Sequence, residues 1–175
     1  MTTLSYDAYS PGRLPDSMVE SFAALLLAVD NEFVPALSTR YGVGTTNFTE
    51  PQSNNLDTYL HDLLTQHNIV ATREGTVVGF LSYSAEIVVG SSVISPCYVS
   101  TVAVATAIRG EGVSRRLYQE LFERVKTDIS VRTWTSNVAH IKVLNSSGFS
   151  LSATIHDDRG VGESTLYFTY ESRRT

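Results

Sequence analysis

Residues 98–126 constrain this chain more than any other stretch: YVSTVAVATAIRGEGVSRRLYQELFERVK. Residues 98–105 are apolar and rich in β-branched side chains, as in a buried strand. A turn with Gly110 and Gly112 on either side of Glu111 follows, and a helix begins at once. At about 100° per residue, Val113, Leu117, Tyr118, Leu121, Phe122 and Val125 fall on one side of that helix. Arg115, Arg116, Gln119, Glu120, Glu123 and Lys126 fall on the other, with Arg124 out of place. A strand that enters a helix through glycines leaves the helix's first N–H groups without acceptors, and the helix dipole adds partial positive charge there. Arg109 contributes a full charge at the same mouth. Together these make a pyrophosphate site; the competing reading is an ordinary strand-to-helix turn.

Spacing separates the cradles that share this physics. A P-loop needs a Gly-Lys pair, and the chain has none. A dinucleotide fingerprint needs a third glycine where Arg115 stands. Arg109-Gly110-Glu111-Gly112-Val113-Ser114 instead resembles the Q/R-x-x-G-x-G/A acyl-coenzyme A loop of the GNAT acetyltransferase superfamily, with serine at the last position. Serine keeps its N–H, so the departure costs the cradle little. A second segment, NVAHIKVLNSSGF over residues 137–149, resembles the superfamily's short helix that opens at an asparagine and closes at Gly-Phe. It follows the phosphate helix and one further strand, residues 129–135, as the superfamily order requires.

The resemblance implies an α/β fold of one domain, residues 1–175. It implies a mixed central sheet of six or seven strands, about four flanking helices, and a splay between the fold's fourth and fifth strands. It implies acetyl-coenzyme A as cosubstrate and no metal. The pantetheine arm would pair with the backbone of Val102, Ala103 and Val104, and Arg109, Gly110, Glu111, Gly112, Val113 and Ser114 would cradle the pyrophosphate. Asn137 would contact the arm, against the simpler role of a helix N-cap. Many members carry a tyrosine seven residues after the asparagine to protonate the departing thiolate; this chain has Leu144 there. Tyr98, Tyr118, Asn145 and Tyr167 are the candidate substitutes. A thiol with a pKa near ~8.5 leaves tolerably without an acid.

Positions 137, 140 and 144 share a helix face, so His140 is expected beside Asn137, as a proton relay or as a backbone-bonded histidine. Tyr98 stands four residues before Val102, hence on the same strand face, where members often place a carboxylate base. With no carboxylate there, water is expected to take the amine proton, oriented by Tyr98 or Ser100. Arg40 and Arg159 are the candidates for binding a substrate carboxylate. Trp134 reads as core. Cys97 reads as a buried structural thiol rather than a nucleophile. The implied activity is N-acetyl transfer, by direct attack in a ternary complex, to a primary amine of a small molecule or a protein. A non-catalytic acyl-coenzyme A sensor is the alternative, and a longer acyl chain a third reading.

Composition narrows the partners. The net charge of −5 over 175 residues argues against nucleic acid. No apolar run reaches the ~20 residues of a membrane span, and no signal peptide is visible. One cysteine excludes an internal disulfide, and a cytoplasmic setting is the simplest expectation. The resemblance allows a homodimer, although no sequence feature demands one.

The remaining pattern predicts a first strand near residues 3–8 and a helix opened by a Ser17/Glu20 capping box and ended before Pro35. It predicts a second helix capped by Asn55 with Leu56, Tyr59, Leu60, Leu63 and Leu64 inward. Strands follow at residues 68–73 and 76–84 around Glu74-Gly75, then a loop or extended hairpin around Gly90. Two closing strands are expected at residues 150–156 and 165–171.

Overall fold

The computed structural model describes residues 3–46, 48, 56–85, 87–89, 92–95 and 97–172. In chain order the elements are β1 (Ser5–Tyr9), α1 (Asp16–Val29), α2 (Leu56–Leu64), β2 (His67–Arg73), β3 (Thr76–Ser84), β4 (Ile87–Val89) and β5 (Ser92–Ser95). Then come β6 (Tyr98–Val104), α3 (Val113–Arg124), β7 (Ile129–Trp134), α4 (Val138–Ser146), β8 (Ser150–Ile155) and β9 (Thr165–Tyr170). Seven strands form one mixed sheet in the order β1-β2-β3-β6-β7-β9-β8, and β4 pairs with β5 apart from it. The fold's fourth and fifth strands are therefore β6 and β7, the one parallel pair in a sheet that is otherwise antiparallel.

The central strands are buried along most of their length because both sheet faces are covered. Ile69 and Ala71 of β2 join Leu117, Tyr118, Leu121 and Leu144 of α3 and α4 on one face. Val70, the residue between them, joins Phe22, Leu26, Tyr59 and Leu63 of α1 and α2 on the other. Phe22 stacks on Phe80 with ring centroids 4.1 Å apart and neither ring exposed. Burying such a side chain contributes about 1.5–3 kcal/mol.

Three expectations change. The α1 cap is Pro15, with extended ψ of 138° and no side-chain cap bond, so Ser17 and Glu20 form no capping box. The Pro15 carbonyl takes the N–H groups of Met18 and Val19, which draws Ser17 inside the first turn. Glu120, expected on the solvent side of α3, is buried, because Arg116 and Arg124 grip its carboxylate from one turn before and after. The first strand runs Ser5–Tyr9, set by antiparallel register against β2. The Asn55 cap lies outside the described residues, as does Gly90.

β6 and β7 pair only at Tyr98↔Ser130 and Val99↔Val131, although β7 continues to Trp134. Beyond those pairs the two strands part. The opening in the middle of the sheet is the feature from which the site is built.

Candidate active site: a gap between two parallel strands

The gap holds a cavity of about 510 Å³, within the usual size for a small-ligand site. Its lining takes in Val102, Ala103 and Val104 of β6, then Arg109, Gly110, Gly112, Val113 and Ser114, and Asn137 and His140 at the start of α4. The two spaced motifs of the sequence thus meet in one space. Glu111 is not in the lining: its carboxylate pairs with Arg73 of β2 at 2.6 Å.

The backbone makes this end of the site. The Ala105 N–H donates to the Val78 carbonyl of β3, at 2.8 Å. Strand alternation then directs the Ala103 backbone to β3 and turns those of Val102 and Val104 into the gap. The Val104 carbonyl already accepts from Arg109 Nε at 3.1 Å. Gly110 and Gly112 have φ of 88° and 81°, in the left-handed region that favours glycine. That geometry starts α3 abruptly at Val113, and the N–H groups of Val113, Ser114 and Arg115 have no acceptor among the described residues. A free strand edge leading to free helix N–H groups suits an amide-bearing arm that ends in a pyrophosphate. Arg109 completes the mouth, and its Nη2 pairs with Glu32 at 2.6 Å.

Asn137 does both things its position allows. It caps α4 by accepting from the His140 N–H at 3.3 Å, and it lines the cavity. Gly148, with φ of 88°, closes α4, and the Phe149 N–H reaches the Leu144 carbonyl. Leu144 itself is wholly buried in the core. His140 Nε2 lies 2.8 Å from the hydroxyl of the buried Tyr118. Burial drives the His140 pKa down to about 4, so the ring is neutral near pH 7 rather than titrating there. Burial pushes Cys97 up to about 12, too high for a thiolate nucleophile at neutral pH.

Tyr98 does not share a face with Val102. A register shift against β3 leaves Ser100 as an extra residue between Val99 and Thr101. Such a bulge reverses the alternation. Val102 packs with the α3 side, whereas Thr101 bonds Tyr59 of α2 at 2.8 Å and Ala103 joins the α1–α2 side. The Tyr98 ring lies beneath the Arg132 guanidinium, at 6.0 Å, on that second side. Burial raises its phenol to about 12, so it is a donor and not a base. Ser100 lines the cavity and donates to Gln66 Oε1 at 2.6 Å.

Arg40 and Arg159 lie outside the cavity lining, both buried. Arg40 donates to the Pro35 carbonyl, and Arg159 to the Val34 carbonyl and the Thr165 hydroxyl. Their guanidinium carbons stand 5.3 and 4.3 Å from the centroid of the Phe48 ring, and that of Arg132 stands 5.0 Å from the same ring. Sequence reasoning did not single out Arg132, which does line the cavity together with Trp134 and Phe33. Its signal was an arginine between Val131 and Thr133 in an otherwise uncharged buried strand.

Among the described residues no helix is long and apolar enough to cross a membrane, and no group of three metal-binding side chains gathers. The family described as acetyltransferase (GNAT) family matches residues 29–149. A search of curated protein sequences finds no match. Solved structures give similar folds at low identity. A GNAT-family acetyltransferase from Bacillus cereus is 16% identical, with a TM-score of 0.64 over 98% of this chain and 99% of that one. The ribosomal-protein-S18-alanine N-acetyltransferase of Escherichia coli is 14% identical, with a TM-score of 0.63 over 98% and 96%. A Salmonella typhimurium protein solved with acetyl coenzyme A is 15% identical, with a TM-score of 0.66 over 99% and 96%.

Proposed function

The chain belongs to the acetyltransferase (GNAT) family, and on that premise we propose that it moves acetyl from acetyl-coenzyme A to a primary amine by direct attack. The observation that carries the proposal is the continuity of the site. One cavity joins the unpaired edge of β6 to the unbonded N–H groups at the start of α3. The residues present fit the cosubstrate: Val102 and Val104 offer backbone for the arm, the 109–114 loop offers N–H groups and one cation for the pyrophosphate, and Asn137 borders the arm.

The amine nitrogen attacks the thioester carbonyl carbon, the carbon–sulfur bond breaks, and the sulfur leaves as a thiolate. The amine proton passes to water and the thiolate takes one back, giving an N-acetyl product and free thiol. N–H groups of β6 aimed into the gap stabilise the oxyanion that develops at the carbonyl. Neutral His140, held by Tyr118, offers a hydrogen-bonding nitrogen to a water in the cavity. Tyr98, outside the cavity lining and with its phenol raised to about 12, takes no proton from the amine. With Leu144 in the core, thiolate departure has no tyrosine acid from α4, which leaves out a factor of about 10²–10⁴ that general acid catalysis supplies elsewhere.

The buried Leu144 and the neutral His140 also favour a second reading, an acyl-coenzyme A sensor without turnover. Titration with acetyl-coenzyme A by calorimetry, followed by thiol release across an amine panel, separates the two. Binding with release establishes the transferase. Binding without release on any amine establishes the sensor, and no binding removes both.

A further inference from the structure

Three arginines gather at the acceptor end of the cavity. Arg132 is the first residue of β7 past its last pair with β6, and it lines the cavity. Among the described residues it makes a single hydrogen bond, Nη2 to the Val43 carbonyl at 3.2 Å. Arg159 and Arg40 stand behind it around the same Phe48 ring. No carboxylate of a described residue lies within ion-pair distance of Arg132 or Arg159. Asp158 meets Arg159 through the Thr165 hydroxyl, and Glu163 bonds Thr135 and Ser136; both carboxylates also act on Arg159 across space. Arg132, half-buried in the cavity wall with no carboxylate of a described residue paired to it, favours an anion brought by a ligand.

We propose that the acceptor is a small amine that also carries a carboxylate, and that Arg132 binds that carboxylate, with Arg159 and Arg40 adding charge behind it. The proposal rests on the acetyl-transfer reading above and names its substrate class. A planar fork of N–H donors matches a carboxylate in two places at once. Phe33 and Trp134 give the same end flat apolar walls for the rest of the molecule. Arg132 and the β6 edge border one cavity, so a carboxylate held at Arg132 leaves the amine free to turn toward Val102. The carboxylate forms no covalent bond; the bond made is still that between nitrogen and the acetyl carbon.

The three arginines also pin the segment around Val34, Pro35 and Val43 to the sheet. A purely structural role predicts lost stability on substitution, without discrimination between charged and neutral ligands. Trp134, the single tryptophan, lines the cavity and lies 5.4 Å from the Arg159 guanidinium carbon, so its fluorescence reports on this end alone. The test titrates the full chain, with coenzyme A present, with benzoate and with benzamide, which share a shape and differ in charge.

The expected result is a saturable Trp134 response to benzoate at least tenfold tighter than to benzamide. R132Q should abolish the preference and R132K should keep part of it, with acetyl-coenzyme A binding by calorimetry unchanged in both. Equal responses to the two probes, no response to either, or a benzoate preference that survives in R132Q would overturn the proposal. The benzoate-to-benzamide comparison in the unaltered protein stands even if a variant fails to fold. Failure of the acetyl-transfer reading would show separately, as an absence of acetyl-coenzyme A binding by the unaltered protein.

Discussion

The two ends of the cavity are made from different materials. The end proposed for the phosphates is backbone: residues 102–114, contiguous in sequence, supply a free strand edge, two left-handed glycines and a helix start. The end proposed for the acceptor is side chain: Arg132, Arg159 and Phe48 come from separate parts of the chain, held by hydrogen bonds that join residues 89 and 125 positions apart. A backbone cradle tolerates changes of side chain and depends on the few positions that fix its dihedral angles. A side-chain cradle depends on identity and charge. Substitutions at one end should therefore leave the other end's ligand alone.

The largest expected effect is at Gly112. A side chain there sits at φ of 81°, which costs about 1–2 kcal/mol, and its bulk stands over the first N–H groups of α3. G112L should weaken acetyl-coenzyme A binding by about 100-fold, measured by calorimetry, while the benzoate response of Trp134 persists. Loss of both responses at once, in a protein that still melts cooperatively, would break the comparison. Arg109 comes next. It is the cation of the 109–114 loop, and charge-assisted hydrogen bonds contribute about 1.5–3 kcal/mol. Because Glu32 already shares it, R109Q should weaken acetyl-coenzyme A by about tenfold and leave acceptor binding unchanged.

His140 lies where the two ends meet, and its effect is read on stability. Its folded pKa, about 4, is below its ordinary value of 6.5. The unfolded chain therefore takes the proton first as the solution acidifies. The stability His140 contributes is fully present above pH 6.5 and is lost as pH falls from there toward 4. H140Q should lose less stability over that window than the unaltered protein, by about 1–2 kcal/mol once the ring's partial exposure is allowed for. Parallel denaturation curves at pH 7 and pH 4.5 decide it. Equal acid losses would mean that the ring titrates normally and that burial does not hold it neutral.

The same contrast explains what the sequence made legible. The fold and the glycine turn into α3 are readable because glycine spacing and strand alternation are local and leave a local trace. The Ser17 capping box was misread because Pro15 supplied the helix entry instead, and the rule assumed a side-chain cap. The face of Tyr98 was misread because counting by twos along β6 fails at the Ser100 bulge, which has no sequence mark of its own. Glu120 was placed in solvent because two arginine partners one turn away were not weighed against its charge. Arg132 was passed over because its neighbours in space, Val43 and Phe48, are remote along the chain.

The smallest predicted effect tests whether the phosphate end is wholly backbone. Glu32 follows α1, which packs on the acceptor side of the sheet, yet its Oε2 pairs with Arg109 Nη2 at 2.6 Å and it lines the cavity. It is the one acidic side chain in that lining among the described residues. The pair is 43% and 44% exposed at its two side chains, and such a pair is worth about 0.2–1 kcal/mol. A pyrophosphate must share Arg109 with this carboxylate and sit near its negative charge. E32Q should therefore tighten acetyl-coenzyme A binding by about two- to fivefold at low salt. The gain should shrink as the screening length falls from about 10 Å toward 3 Å at molar salt. Weaker binding in E32Q would mean that Glu32 holds Arg109 in its working position, and that a side chain from the far side of the sheet helps to build the phosphate end.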